Sequence, residues 1–166
     1  SREPEQWGVT EGSQAEVQSY FQGLCPKARQ LIDLPKSWKR WATADKEPIE
    51  NWVFGRVTIL GDAAHPTTQY MAQGACMAME DAVTLGEALR VTGDEWPAAL
   101  QLYQQNRITR TARIVLSGRE MGRLYHAAGV ERLVRNALWK GRSQERFYDA
   151  VDWLYSWNVD NCLQQG

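Results

Sequence analysis

Residues 56–81, RVTILGDAAHPTTQYMAQGACMAMED, constrain the fold more than any other stretch of the chain. The run at 56–60 is β-branched and almost wholly apolar, which is typical of a strand covered on both faces in a parallel sheet. A Gly-Asp pair and a proline-containing loop follow, and the spacing then predicts an amphipathic helix over 75–90. Because α/β proteins bind ligands outside the carboxyl ends of such strands, this stretch predicts an α/β fold with a ligand site at Gly61 and Asp62.

The rest of the chain is predicted to be mostly helical. Alternation over 38–43 indicates one further strand with a single buried face. Elsewhere, helical spacing predicts short helices near 17–24 and 27–33, a long helix from Trp96 to about Tyr125 that is interrupted near Gly118 or Gly122, and helices over 130–138 and 147–155 with one buried stripe each. The predicted fold class is therefore α/β (α+β), helix-rich, with strand 56–60 lacking evident parallel neighbours in these residues.

The composition and the cysteine spacing argue against a membrane-spanning segment and against a metal or redox site. No apolar run approaches the ~18 residues that a membrane span needs, so no membrane partner and a cytoplasmic location are expected. The three cysteines, Cys25, Cys76 and Cys162, are far apart and form no metal-binding or redox spacing. Asp62 and His65 alone would lack further ligands, and no metal site is predicted.

Each part of the junction between strand and helix has a chemical use. Gly61 lets the chain turn sharply or approach a ligand closely, and the Asp62 carboxylate can accept hydrogen bonds from sugar or polyol hydroxyls. Gly74 and Ala75 open the helix, so its free N–H groups and positive dipole end favour an anion. The alternative is a plain turn in which Asp62 is a cap and the small residues allow close helix packing. The ordered combination of these features favours the ligand site.

The segment GDAAHPTTQYMAQGACMAMEDAVTLGEAL resembles the second flavin fingerprint of the single-component (class A) FAD-dependent aromatic hydroxylases, the group of salicylate and hydroxybenzoate hydroxylases. The flanking segments SWKRWATADKEPIENW, LSGREMGRLYH and FYDAVDWLYSWNVDNCL resemble the 3-hydroxybenzoate 6-hydroxylases among them. The resemblance implies part of a Rossmann-like FAD-binding domain, part of a substrate domain and C-terminal helices. It also implies that Asp62 contacts the ribityl chain of FAD and that the N–H groups of Gly74 and Ala75 face the flavin pyrimidine.

The same resemblance implies a reaction. A monohydroxybenzoate would be hydroxylated with O₂ and NADH or NADPH, and 3-hydroxybenzoate giving the 2,5-dihydroxy product is the first choice. The family fingerprint would place a proline at position 69 and a glycine at position 72, where this chain has Gln69 and Ala72. Gln69 is predicted to bond a phenolic hydroxyl, in a catalytic and substrate-binding role, and Tyr70 is assigned to substrate binding. The alternative for Gln69 is a solvated loop amide, and His65 is expected to be structural rather than a general base.

No GxGxxG turn occurs in these residues, although such a turn holds the ADP part of FAD in enzymes of this kind. The chain is therefore expected to be the C-terminal portion of a larger flavoenzyme, inactive alone. Its expected partners are the N-terminal dinucleotide-binding portion of the same protein and a second copy in a homodimer. The predicted divisions are part of a substrate-binding domain over 1–50, a flavin-binding segment over 51–95 and a C-terminal helical region over 96–166.

A competing function comes from the charge distribution. Residues 107–146 hold nine arginines and one lysine against three glutamates, a local charge of +7. Such a segment could belong to a non-enzymatic helical module that binds an acidic partner. A nucleic-acid partner is not expected, because arginines at this spacing more often form a solvated face or pair with acids elsewhere in the fold.

Overall fold

The computed structural model describes residues 8–93 and 95–163, and the chain divides into two compact units, Ser1–Thr43 and Ala44–Gly166. No helix among the described residues is long and apolar enough to span a membrane.

The first unit contains an antiparallel strand pair and two short helices. Strand β1 (Val9–Gly12) pairs with β2 (Trp38–Trp41), and helices α1 (Gln14–Tyr20) and α2 (Pro26–Asp33) lie between them in the chain. The α1 helix begins after Ser13, whose hydroxyl caps it by accepting a hydrogen bond from the Glu16 N–H. Both helices and β2 were expected, whereas β1 was not. The prediction that one face of β2 is buried is wrong, because three of its four residues are exposed.

The second unit is helical apart from one small hairpin. Its elements are strands β3 (Val53–Phe54) and β4 (Val57–Thr58), two single-turn 3₁₀ helices (Gly61–Ala63 and Gln69–Met71), helices α3 (Gly74–Val91), α4 (Trp96–His126), α5 (Gly129–Trp139) and α6 (Gln144–Tyr155), and a last 3₁₀ turn (Val159–Asn161). Helix α3 packs along α4. Two apolar clusters form the core of this unit: Trp52, Ala64, Ala88, Ala99 and Tyr103 in one, and Met77, Ile114 and Leu154 in the other.

The run 56–60 does not form the strand that its composition predicts. Only Val57 and Thr58 are extended in a ladder, and they pair antiparallel with β3 rather than in a parallel sheet. Gly55 has φ +63°, a left-handed turn that folds the chain back on itself, and Val57 is left 62% exposed. The fold is helix-rich, as predicted. Among the described residues, however, no other element covers both faces of the run 56–60.

The buried face of α3 is not the predicted apolar one. Its fully buried positions include Asp81 and Thr84, whereas Met79 and Val83, which were expected inside, are exposed. Ion pairs with α4 allow the charged positions to be buried, because each carboxylate is matched by an arginine. The prediction of a helix here was therefore correct, and the prediction of which face of it is buried was wrong.

Helix α4 runs without the interruption that two of its residues suggested. Gly118 and Gly122 are both buried within the helix. A Cβ at Gly118 would lie 3.3 Å from Thr68 Oγ1, and one at Gly122 would lie 2.7 Å from Tyr70 Cε2. These glycines therefore let the 67–71 loop lie against the helix, and they do not break it.

The last two helices form at the predicted places, but their apolar stripes are largely exposed. In α5 the stripe Val130, Leu133, Val134 and Leu138 is 53–74% exposed, and in α6 Leu154 is the residue that is buried. The prediction of a buried stripe is thus wrong for α5 within the described residues and holds for one position of α6.

Candidate functional site

The Gly-Asp pair forms a tight turn against α3. The chain arrives extended at Leu60 and enters the 3₁₀ helix at Gly61, which is buried and has φ +56°. A Cβ on Gly61 would lie 3.4 Å from the Ala78 Cβ, so glycine satisfies both the backbone conformation and the close approach. Asp62, the next residue, is exposed.

A buried carboxylate of α3 holds this turn. The Gly61 N–H donates to Asp81 Oδ2 at 2.9 Å, and His65 Nε2 lies 2.6 Å from the same oxygen. On the other side, Arg107 Nε of α4 donates to Asp81 Oδ1 at 2.7 Å. Both oxygens of Asp81 are therefore engaged, one by the turn and one by α4.

These contacts decide the charge state of the carboxyl group. Burial by itself raises the pKa of Asp81, but the hydrogen bonds from His65 and the Gly61 N–H, together with the positive charge of Arg107, outweigh burial and leave the pKa below its ordinary value. Asp81 is thus an anion at neutral pH and accepts at both oxygens.

A second pair of charges lies beside the first. Arg110 donates to both oxygens of Glu80 at 2.7 Å, and Arg107 Nη1 lies 2.7 Å from Glu80 Oε2. Arg110 also donates to the carbonyl oxygens of Trp153 and Leu154, both at 3.0 Å. The network therefore joins α3, α4 and the end of α6.

The other predicted cofactor residues, Gly74 and Ala75, are the first two residues of α3 and follow a tight loop. Ala72 has φ +52° and ψ +34°, the left-handed conformation, and its N–H donates to the Gln69 carbonyl at 3.0 Å. This conformation explains why the related fingerprint has glycine there. The side chain of Gln73, at the N-cap of α3, makes no capping hydrogen bond. The N–H groups of Gly74 and Ala75 therefore remain available at the helix start.

The two predicted substrate residues differ in environment. Gln69 is exposed, whereas Tyr70 is half-buried and its ring stacks edge-on against Tyr125 and His126. The ring also lies over Gly122. Tyr70 thus anchors the turn to α4 and leaves Gln69 as the freely projecting side chain.

His65 makes its contacts within the fold, and its expected structural role stays a prediction. It is buried, bonds Asp81 and lies beside Trp52, with 5.5 Å between the ring centroids and 43° between the ring planes. Among residues 8–93 and 95–163, no group of three His, Cys, Asp or Glu side chains is placed to hold a metal ion.

Asp81 and Arg107 are functional candidates that sequence reasoning missed. The Glu-Asp pair was noticed as part of the fingerprint, but no role was assigned to it. A usable signal was the pair of acids on one predicted helix and the arginines three residues apart on the next, since opposite charges so placed can pair where the two helices pack.

The basic segment 107–146 is less free than its composition suggests. Arg107 is completely buried and forms an ion pair with Asp81, and Arg110 is paired with Glu80. Arg119 binds Asp45 and Glu47, each at 2.7 Å. The local charge is therefore partly neutralised by acids outside the segment, which weakens the basis for an acidic-partner module.

A separate open cavity of about 1140 Å³ lies between α4 and the last two helices. Its apolar lining includes Leu116, Met121, Trp139, Val151 and Trp153. The predicted cofactor and substrate residues do not line it.

Comparison with known proteins gives a consistent assignment. Residues 10–117 match a family described as FAD binding domain. The chain is 79% identical over 165 residues to a 3-hydroxybenzoate 6-hydroxylase 2 of Aquipseudomonas alcaligenes, covering 99% of this chain and 52% of that protein. It is also 79% identical over 163 residues to a 3-hydroxybenzoate 6-hydroxylase of Polaromonas naphthalenivorans, covering 98% of this chain and 41% of that protein.

Solved structures share the fold. A salicylate hydroxylase in a substrate complex is 27% identical, has a TM-score of 0.81 and covers 99% of this chain and 40% of its own. Klebsiella pneumoniae HpxO complexed with FAD and uric acid is 32% identical, with a TM-score of 0.72 over 90% of this chain and 37% of its own. The chain spans about half or less of the length of these proteins. Because the family match covers well over half of its residues, the chain belongs to the FAD binding domain family.

Proposed function

We propose that this chain supplies the flavin-facing part of an FAD-dependent aromatic-ring monooxygenase. The whole protein would hydroxylate a monohydroxybenzoate, with 3-hydroxybenzoate giving 2,5-dihydroxybenzoate as the favoured reaction and NADH or NADPH as co-substrate. The observation that carries the proposal is the exposed Asp62 carboxylate on a turn fixed by buried charges. The identity to relatives named 3-hydroxybenzoate 6-hydroxylase supports the choice of substrate.

The residues present fit FAD. Asp62 is exposed and accepts no hydrogen bond from the described residues, so its carboxylate is free for the hydroxyls of a ribityl chain. The uncapped start of α3 offers the N–H groups of Gly74 and Ala75 to an electron-rich ring edge. Gly61 has no Cβ, so the backbone of the turn can lie close to Ala78 of α3.

Bound FAD would supply electron transfer from the nicotinamide and activation of O₂. The part of this chain is electrostatic and positional. Asp62 would accept from the polyol, and the helix start at Gly74 and Ala75 would stabilise negative charge on the ring. The exposed Gln69 amide would bond the phenolic hydroxyl of the substrate and orient it.

The whole protein tests this proposal directly. We expect it to purify with flavin absorption and to oxidise NADH or NADPH faster when 3-hydroxybenzoate is added, with 2,5-dihydroxybenzoate detected by chromatography. Oxidation that ignores every aromatic acid tested would contradict the proposed substrate class. Steeply salt-dependent binding of an acidic partner without flavin would favour the competing module instead.

Replacing Gln69 by proline should reduce coupling, measured as hydroxylated product per nicotinamide oxidised, more than it reduces FAD retention. The backbone accepts this change: Thr68 is extended at φ −70° and ψ +159°, as a residue before proline must be, and the Gln69 carbonyl still accepts from Ala72. The substitution therefore tests the lost amide. Gln144→Ala, at an exposed position on α6, is the control. Equal loss of coupling and FAD would argue against the role.

A homodimer and a cytoplasmic location belong to the same proposal. Apolar residues exposed on α5 offer surface for subunit contact. Sedimentation of the whole protein and fractionation of the cells that produce it test these two points.

A further inference from the structure

One carboxylate ties together both ends of the turn that presents Asp62. Asp81 Oδ2 lies 2.9 Å from the Gly61 nitrogen and 2.6 Å from His65 Nε2. Asp81 itself has no solvent exposure. The five-residue segment from Gly61 to His65 is thereby held at both ends by a single oxygen.

The direction of Asp62 depends on this clamp. Inside the turn the Gly61 carbonyl accepts from the N–H groups of Ala64 and His65, both at 2.9 Å. Asp62 makes no side-chain hydrogen bond of its own to the described residues and is exposed. Its carboxylate is therefore placed by the backbone of the turn alone.

We propose that Asp81 is a positioning residue for the flavin, acting through Gly61 and His65 to hold Asp62 toward the ribityl hydroxyls. This inference rests on the proposed function. Arg107 holds Asp81 Oδ1 and leaves Oδ2 for the turn, so the two oxygens have separate tasks. The role needs two acceptor atoms on one side chain.

Asparagine at position 81 cannot perform both tasks. It keeps the shape but offers one oxygen and one NH₂ group, and the NH₂ group would face a donor on either side. Glu80 provides the matched control. It is the neighbouring buried acid and binds Arg107 and Arg110 of α4, but it does not touch the turn.

The test compares Asp81→Asn with Glu80→Gln in the whole protein. Both variants should unfold at lower temperature, because each weakens a buried ion pair. In Asp81→Asn the Kd of the apoprotein for FAD, measured by quenching of flavin fluorescence, should rise about tenfold, and hydrogen exchange over 61–65 should accelerate. In Glu80→Gln both the Kd and this exchange should stay as in the unchanged protein. Equal shifts in the two variants would overturn the proposal.

A double-mutant cycle with Asp62→Asn separates positioning from general damage. If Asp81 acts by placing Asp62, adding Asp81→Asn to Asp62→Asn should weaken FAD binding little further, whereas fully additive losses would overturn the proposal. An unchanged protein that binds no FAD would contradict the proposed function instead. In that case hydrogen exchange over 61–65 still decides whether Asp81 holds the turn.

Discussion

Replacing Arg107 by methionine should lower the free energy of unfolding of the protein by about 3–5 kcal/mol. Arg107 has no solvent exposure and is the cation beside both Asp81 and Glu80. Methionine fills much of the same space but leaves two carboxylates in a dry helix interface with less compensation. The cost therefore comes mainly from the carboxylates left behind. Urea denaturation followed by circular dichroism measures it.

Arg123→Met on the same helix is the matched control. Arg123 pairs with Glu120 at 3.1 Å, and both side chains are more than 60% exposed, so the change should alter the unfolding free energy by about 0.5 kcal/mol or less. A loss for Arg107→Met no larger than that of the control would show that the buried network contributes little to stability.

Gly122→Ala is expected to destabilise the protein by about 1–3 kcal/mol, although alanine is the better helix former. The new methyl group would lie 2.7 Å from Tyr70 Cε2 and 3.0 Å from Cδ2, inside van der Waals contact. Tyr70 is also packed against Tyr125 and His126, so its ring has little freedom to move aside. To relieve this clash, the Gln69–Met71 turn would have to move away from α4. The resulting loss of stability would appear as a lower melting temperature in calorimetry.

Gly86→Ala provides the contrast for this second change. Gly86 lies within α3, and a Cβ there meets no atom within 4 Å, so alanine should stabilise the protein by about 0.5–1 kcal/mol. Tyr70→Leu should restore much of the stability lost in Gly122→Ala by removing the ring edge. If Gly122→Ala behaves like Gly86→Ala, the contact between loop and helix is not tight in solution.

Much of the fold follows from local sequence rules. Pro26 at the start of α2 and Pro97 near the start of α4 lie where proline is favoured, and the apolar spacing gives the approximate extents of α3 to α6. The helix-rich class and the Gly-Asp turn at the start of the site were predicted for the same reason. Each depends on interactions within a few residues along the chain.

The wrong predictions concern which residues from distant parts of the chain pack against each helix or strand. The buried Asp81 is paired with Arg107, which lies 26 positions later on the next helix, and no periodicity in α3 contains that information. Gly122 was interpreted as a break because the sequence does not show Tyr70 lying on it. For the run 56–60, composition favoured a covered strand, while a left-handed Gly55 produced a short hairpin. Nonlocal partners decided each case, so the predicted roles of Asp62, Gly74, Ala75 and Gln69 remain predictions.

The contacts of Arg110 affect how the second unit unfolds. Its guanidinium binds Glu80 on α3 and two carbonyl oxygens at the end of α6 at the same time, so freeing the last helix breaks bonds that also hold the interface behind the Gly-Asp turn. Local opening of the C-terminal helix and loosening of the packing between α3 and α4 around Glu80 should therefore be parts of one cooperative event rather than two independent ones. Damage near the end of the chain would then weaken the contact between α3 and α4 at Glu80, far away along the sequence.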